Sequence, residues 1–115
     1  MVEFGLTDGD REMIVGIFKR YPQIEEVILF GSRALNKFKV ASDIDFAVKG
    51  CDIVEIVGAL TADFEESDLI YEVDVVAYGG IESPELLEHI DRVGKLFYRK
   101  DRVIKIGSFS ESEPI

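Results

Sequence analysis

Three carboxylates and one short polar turn are the residues of this chain whose types and spacing could do chemistry. Asp43 and Asp45 stand two apart in the alternating stretch Asp43-Ile44-Asp45-Phe46-Ala47-Val48. Successive side chains of a strand point to opposite faces, so both carboxylates are expected on one face and Ile44, Phe46 and Val48 on the other. Like charges this close raise each other's proton affinity unless a cation lies between them, and hard oxygen ligands suit Mg²⁺ or Mn²⁺. The third acid, Asp74, sits in Val73-Asp74-Val75-Val76, where Val73, Val75 and Ala77 read as an apolar face and Glu72, Asp74 and Val76 as the other. A carboxylate buried among such neighbours costs on the order of several kcal/mol unless it is paired or binds metal. If the two strands are neighbours, the three acids could hold two ions, the arrangement that clamps attacking and leaving oxygens in phosphoryl or nucleotidyl displacement.

The polar turn follows the apolar run Val27-Ile28-Leu29-Phe30, which is rich in strand formers and ends abruptly at Gly31. Gly31 lets backbone approach a ligand closely, and the Ser32 hydroxyl and turn amides can donate to phosphate oxygens. Arg33 adds a planar cationic fork able to grip a phosphate through two donors, and Lys37 and Lys39 in the same loop are further candidates for phosphate or acceptor contact. Singly, a Gly-Ser turn is ordinary loop chemistry and Asp-x-Asp an ordinary solvated strand face. Together they form a compound pattern: Gly31-Ser32, ten residues, then Asp43-x-Asp45, with Asp74 in a later apolar strand.

The elements that must position these residues are legible in outline. Met13, Ile14, Ile17, Phe18 and Tyr21 have helical spacing, with Thr7 or Asp8 as N-cap and a stop near Pro22. A strand over 27–30 leads into a twelve-residue polar loop, Gly31 to Ser42, of the length at which an irregular loop is usually functional or disordered. A helix follows over Ile53 to Phe64, with Asp52 and Glu55 in capping-box spacing. A strand over Glu72 to Tyr78 comes next, then a helix opened by Ser83-Pro84 and ended by Gly94. Leu96-Phe97-Tyr98 reads as a last short strand. The pattern predicts one α/β (α+β) domain over 1–104, and a mobile Ser- and Glu-rich tail over 105–115.

Composition narrows the partners. The chain has 115 residues and a formal net charge of −10, with 23 acidic against 13 basic side chains, a field that should repel a large nucleic acid. A nucleoside triphosphate can still bind through local donors and a cation. The single cysteine, Cys51, rules out an internal disulfide framework and fits a reducing cytoplasm. Neither a secretory signal nor a run approaching the ~18 apolar residues of a membrane span is present. A homo-oligomer stays open.

At this point the residues resemble the minimal nucleotidyltransferase family of the DNA polymerase beta-like superfamily, whose signature is Gly-Ser, ten residues, then Asp-x-Asp. Leu29-Phe30-Gly31-Ser32-Arg33-Ala34 and Ser42-Asp43-Ile44-Asp45-Phe46 match it, Val73-Asp74-Val75-Val76 is similar to its third acidic strand, and the likeness runs from about Arg11 to Tyr98. Asn36 departs from the glycine many members carry, and asparagine tolerates the left-handed backbone. The resemblance implies a mixed sheet of about four strands flanked by three to four helices, with Gly31 and Ser32 on nucleotide phosphates. It implies that Asp43, Asp45 and Asp74 hold Mg²⁺ and that Asp74 is also the candidate base. The implied reaction transfers a nucleoside monophosphate, commonly AMP from ATP, to a hydroxyl. Stand-alone chains this short resemble the antitoxin half of toxin–antitoxin pairs, which adenylylate a tyrosine of a helical HEPN-domain toxin.

Two rival readings differ in class. An idle member would neutralise a partner by docking alone, whereas a glycosyltransferase would use Asp-x-Asp with Mn²⁺ and a sugar nucleotide but would leave Gly31-Ser32 unexplained. Glu72 could substitute for Asp74 as a ligand. His89, the sole histidine, reads as a helix-flank residue, and Tyr71, Tyr78 and Tyr98 read as core edge, with Tyr78 the best candidate for stacking a base.

Overall fold

The first helix forms where Thr7 can close it from both sides. In the computed structural model, which describes residues 4–39 and 42–100, Thr7 Oγ1 accepts from Asp10 N at 3.0 Å while Thr7 N donates to the Asp10 carboxylate at 3.1 Å. This reciprocal capping satisfies two donors that a helix start leaves orphaned. It opens α1 (Asp8–Phe18), whose Ile14, Ile17 and Phe18 are buried. The strands are β1 (Ile24–Phe30), β2 (Ile44–Gly50), β3 (Val73–Ala77) and β4 (Lys95–Arg99). Two more helices, α2 (Ile53–Glu65) and α3 (Pro84–Val93), and a short 3₁₀ turn at Tyr78–Gly80 complete the described elements.

The sheet order is β3-β2-β1-β4. β1 lies antiparallel to both β2 and β4, whereas β2 and β3 are parallel, because a parallel neighbour needs a crossover and α2 supplies it. Period-two alternation then splits the core. On one face, Val27, Leu29, Ile44, Phe46, Val48 and Val75 meet α1 and α2. On the other, Phe30 and Ala47 meet Ile90 of α3, with Ile28, Val76 and Leu86 around them. A four-stranded mixed sheet with three helices is the α/β fold class expected.

Two local readings change, and a third holds for a particular reason. β1 begins at Ile24, three residues before the apolar run, because the Glu25-Glu26 interruption is accommodated on a half-buried strand face and Glu26 pairs with Arg99 at 3.0 Å. The capping box expected at α2 is not formed. Asp52 has a left-handed backbone, φ 56°, in place of the extended one a capping side chain needs, and its carboxylate accepts from Cys51 Sγ at 3.8 Å instead. Gly94 does end α3, but with φ −63°. Its small size is required by close packing, since a Cβ there would collide with the Ile90 carbonyl and the Ile28 side chain. Ser83 caps α3 as expected, accepting from Leu86 N at 3.2 Å. The 105–115 tail lies outside the described residues.

Phe18 is the centre of the larger core: it is fully buried, with ring centroids 5.2 Å from Phe46 and 5.5 Å from Phe64. Truncating it removes aromatic packing from α1, β2 and α2 together. Phe18→Ala is therefore expected to cost about 3–5 kcal/mol of unfolding free energy, read as a lower urea midpoint at unchanged slope.

Candidate active site

The parallel pairing of β2 with β3 sets the site. Ile44 is opposite Val73, Asp45 opposite Asp74 and Phe46 opposite Val75. Paired residues of neighbouring strands face the same way, about 4.8 Å apart along the sheet, so Asp45 and Asp74 stand side by side on the α3 face. Asp45 is half-buried, whereas Asp43, one residue before β2, and Asp74 are exposed. The exposure of Asp74 corrects the expectation of a buried carboxylate: β3 is the edge strand, and its polar face is open. Glu72 precedes β3 and is also exposed.

Burial pushes the Asp45 carboxyl above its ordinary range, and the neighbouring Asp74 and Asp43 charges push it further, with His89 partly opposing them. Both neighbouring aspartates thus act on Asp45 through space. Among the described residues, no group of three or more His, Cys, Asp or Glu side chains is placed so that it could hold a metal ion. Asp45 and Asp74 stand beside each other as a pair of hard oxygen donors, the type that suits a divalent ion, with Asp43 two residues before Asp45 in the chain.

Gly31 is required at its position twice over. Its φ is +79°, a region costly for other residues, and a Cβ there would collide with Asp45 Oδ2 and lie 3.2 Å from Asp45 Cγ. The antiparallel pairing of Phe30 with Asp45 delivers this glycine to the carboxylate. After it the chain turns tightly, with Leu35 N donating to Gly31 O at 3.2 Å and Lys37 N to Ser32 O at 2.9 Å. Ser32 is half-buried at the start of that turn, and Asn36 takes the left-handed conformation, φ 61°.

Arg33 departs from expectation. It is 1% exposed, so its guanidinium is turned into the protein and does not present a fork to a phosphate. Its Nη2 and Nε donate to the Ser42 carbonyl at 2.8 and 3.2 Å, and Nη1 donates to the Phe4 carbonyl at 2.8 Å. Lys37 and Lys39 are exposed. Tyr71 and Tyr98 are core-edge residues, the former under Arg33 and the latter stacked on Phe18 at 5.9 Å. Tyr78 donates to Asp91 at 2.7 Å, which raises its phenol pKa, and carries Lys49 over its ring.

His89 was missed as a site neighbour. Its ring meets Phe30, the strand position paired with Asp45, edge-on at 6.1 Å, and it opposes the upward push on the Asp45 carboxyl. The signal was available: His89 falls three residues after Leu86 and four before Val93, on the stripe that α3 turns to the sheet.

Comparison with known proteins identifies the family. The family model described as polymerase beta, nucleotidyltransferase, matches residues 12–103. The chain belongs to that family. None of the curated proteins matches this nucleotidyltransferase. Solved structures do. One is a toxin–antitoxin with AMP-PNP, 22% identical over 79% of this chain and 74% of that one, with a TM-score of 0.57. Another is a point variant of the toxin–antitoxin MntA-HpeT, 23% identical over 83% and 74%, with a TM-score of 0.60. A third is a tri-AMPylated Shewanella oneidensis HEPN toxin in complex with MNT antitoxin, 21% identical over 79% and 71%, at 0.50. At these identities the likeness is one of fold. No helix among the described residues is long and apolar enough to cross a membrane.

The raised Asp45 carboxyl makes this nucleotidyltransferase's stability pH-dependent in a stated direction. A carboxyl whose folded pKa lies above its unfolded value contributes stability below the unfolded value, near 3.9 for aspartate, and loses it as pH rises through the folded one. Asp45→Asn removes that loss. In EDTA the variant is expected to melt higher than wild type at pH 7, with the difference vanishing near pH 3, as checked by thermal scans across pH.

Proposed function

We propose that this nucleotidyltransferase transfers AMP from ATP to a hydroxyl of a partner protein, a tyrosine of a HEPN-domain toxin, and so acts as an antitoxin in the cytoplasm. The observation that carries the reading is the in-register pairing of Asp45 with Asp74, with Gly31 pressed against Asp45. The family match supports nucleotidyl transfer as the reaction class. The nucleotide and acceptor are supported by neighbours of the same fold, one solved with AMP-PNP and one paired with an AMPylated HEPN toxin.

The donor set fits a divalent cation, because burial and two like charges disfavour the ionised form of Asp45 and a cation reverses that preference. Asp43, Asp45 and Asp74 would hold it. When bound, Mg²⁺ or Mn²⁺ supplies charge neutralisation on the triphosphate and on the departing pyrophosphate. Gly31, having no Cβ, lets the Asp45 carboxylate lie against the turn, and Ser32 donates its hydroxyl to a phosphate oxygen. Asp74, at the exposed edge, takes the proton of the acceptor hydroxyl as its oxygen bonds to the α-phosphorus. The bond from that phosphorus to the bridging oxygen breaks, and pyrophosphate leaves with the electron pair.

The test is transfer of label from α-labelled ATP to a HEPN-type protein encoded beside this chain. Wild type is expected to label it. Asp45→Asn should lower the rate at least about 10³-fold, roughly 4 kcal/mol of transition-state stabilisation. If the variant labels its partner at the wild-type rate, the site assignment is wrong. If it labels nothing yet still neutralises the toxin, docking alone is the antitoxin activity.

A further inference from the structure

We propose that Arg33 is a positioning residue, which locks the three segments bearing the nucleotide and carboxylate groups into one register. It is the only charged or polar side chain buried among the described residues, and the largest of the fully buried ones. Its guanidinium reaches all three segments. Two nitrogens converge on the carbonyl of Ser42, the residue before Asp43, at 2.8 and 3.2 Å. The guanidinium carbon lies 4.6 Å from the centre of the Tyr71 ring, three residues before Asp74, and 5.0 Å from that of Phe38. The backbone of Arg33 itself follows Ser32, and Nη1 ties the Phe4 carbonyl to the same point at 2.8 Å.

Each contact uses a property that arginine has and lysine lacks. A planar fork can grip one carbonyl with two donors while its faces lie against aromatic rings, and it remains charged when buried. An ammonium carries all its donors on one nitrogen and has no flat face, so it cannot span these carbonyls and rings as the guanidinium plane does. The strand registers fix Asp45 against Asp74, but Asp43 lies outside β2, at the end of a long loop. Its placement depends on where Ser42 is held. Arg33 therefore acts on the carboxylates through the Ser42 carbonyl and the Tyr71 ring, without touching substrate.

This inference rests on the proposed reaction, so its test includes a readout that does not need turnover. Mn²⁺ affinity is measured by electron paramagnetic resonance on wild type, Arg33→Lys, Tyr71→Leu and Tyr71→Phe. AMP transfer is measured in parallel at saturating metal, below the melting temperature of each protein. Arg33→Lys and Tyr71→Leu are expected to weaken Mn²⁺ binding about tenfold or more, the scale of lost outer-shell contacts. They should also lower kcat about tenfold with KM for ATP within about threefold, whereas Tyr71→Phe, which keeps the ring, should match wild type.

A rise in KM for ATP with kcat intact would place the guanidinium on phosphate and overturn the inference. Unchanged Mn²⁺ affinity and kcat in folded variants would reduce Arg33 to a stabilising residue and overturn it too. So would a wild type that binds no Mn²⁺. If Arg33→Lys fails to fold, Tyr71→Leu decides. A wild type that binds Mn²⁺ but transfers no nucleotide defeats the functional reading alone, and the Mn²⁺ comparison still decides the role of Arg33.

Discussion

The parallel register between β2 and β3 is the constraint on which the rest depends. It sets two aspartates opposite each other on neighbouring strands, an arrangement that like-charge repulsion opposes. What holds it is the other face of the same two strands, where Ile44, Phe46, Val48 and Val75 are buried against α1 and α2. A slip of one residue would move Asp45 into that core and expose its apolar partners, so the packing forbids the slip at far greater cost than the charges impose. The site is thus held by the hydrophobic face it does not use.

A second register converges on the same residue. β1 runs antiparallel to β2 and ends at Phe30, opposite Asp45, so the next residue arrives at the carboxylate itself. Any other residue there would be strained by the positive φ and would displace the Asp45 carboxylate. The Gly-Ser turn and the Asp-x-Asp strand are separated in sequence by ten residues, far more than the roughly two an antiparallel return needs. In space they are adjacent because of strand pairing, and Arg33 fastens the loop between them.

Much of this was legible because it follows from short-range rules. Period-two alternation put Ile44, Phe46 and Val48 on the core face and Asp45 on the opposite one, and the Thr7 and Ser83 caps marked the starts of α1 and α3 within a residue. What failed depended on tertiary surroundings. Alternation says which face Asp74 takes but not that β3 is an edge strand, so its exposure was unreadable. Glu25 and Glu26 look like a loop until Arg99 is seen across the sheet. Asp52 has the right residue type for a cap and the wrong backbone. Arg33 was the largest misreading: a basic residue beside a Gly-Ser turn suggests phosphate, and only folding shows Phe4, Phe38, Ser42 and Tyr71 closing around it.

Edge placement also bears on the kind of acceptor the site can serve. Asp45 is half-buried beside Gly31, whereas Asp74 stands beside it on the open edge strand. A small acceptor would gain from an enclosed pocket that excludes water, but a hydroxyl borne on a folded protein cannot enter one. It can approach an edge. The division of the carboxylate pair into an inner member near the glycine turn and an outer member facing solvent separates the two tasks of the proposed reaction. In that reaction the triphosphate would be held inside and the proton would be taken from the acceptor at the rim, where a partner surface would itself displace the water that an open edge admits.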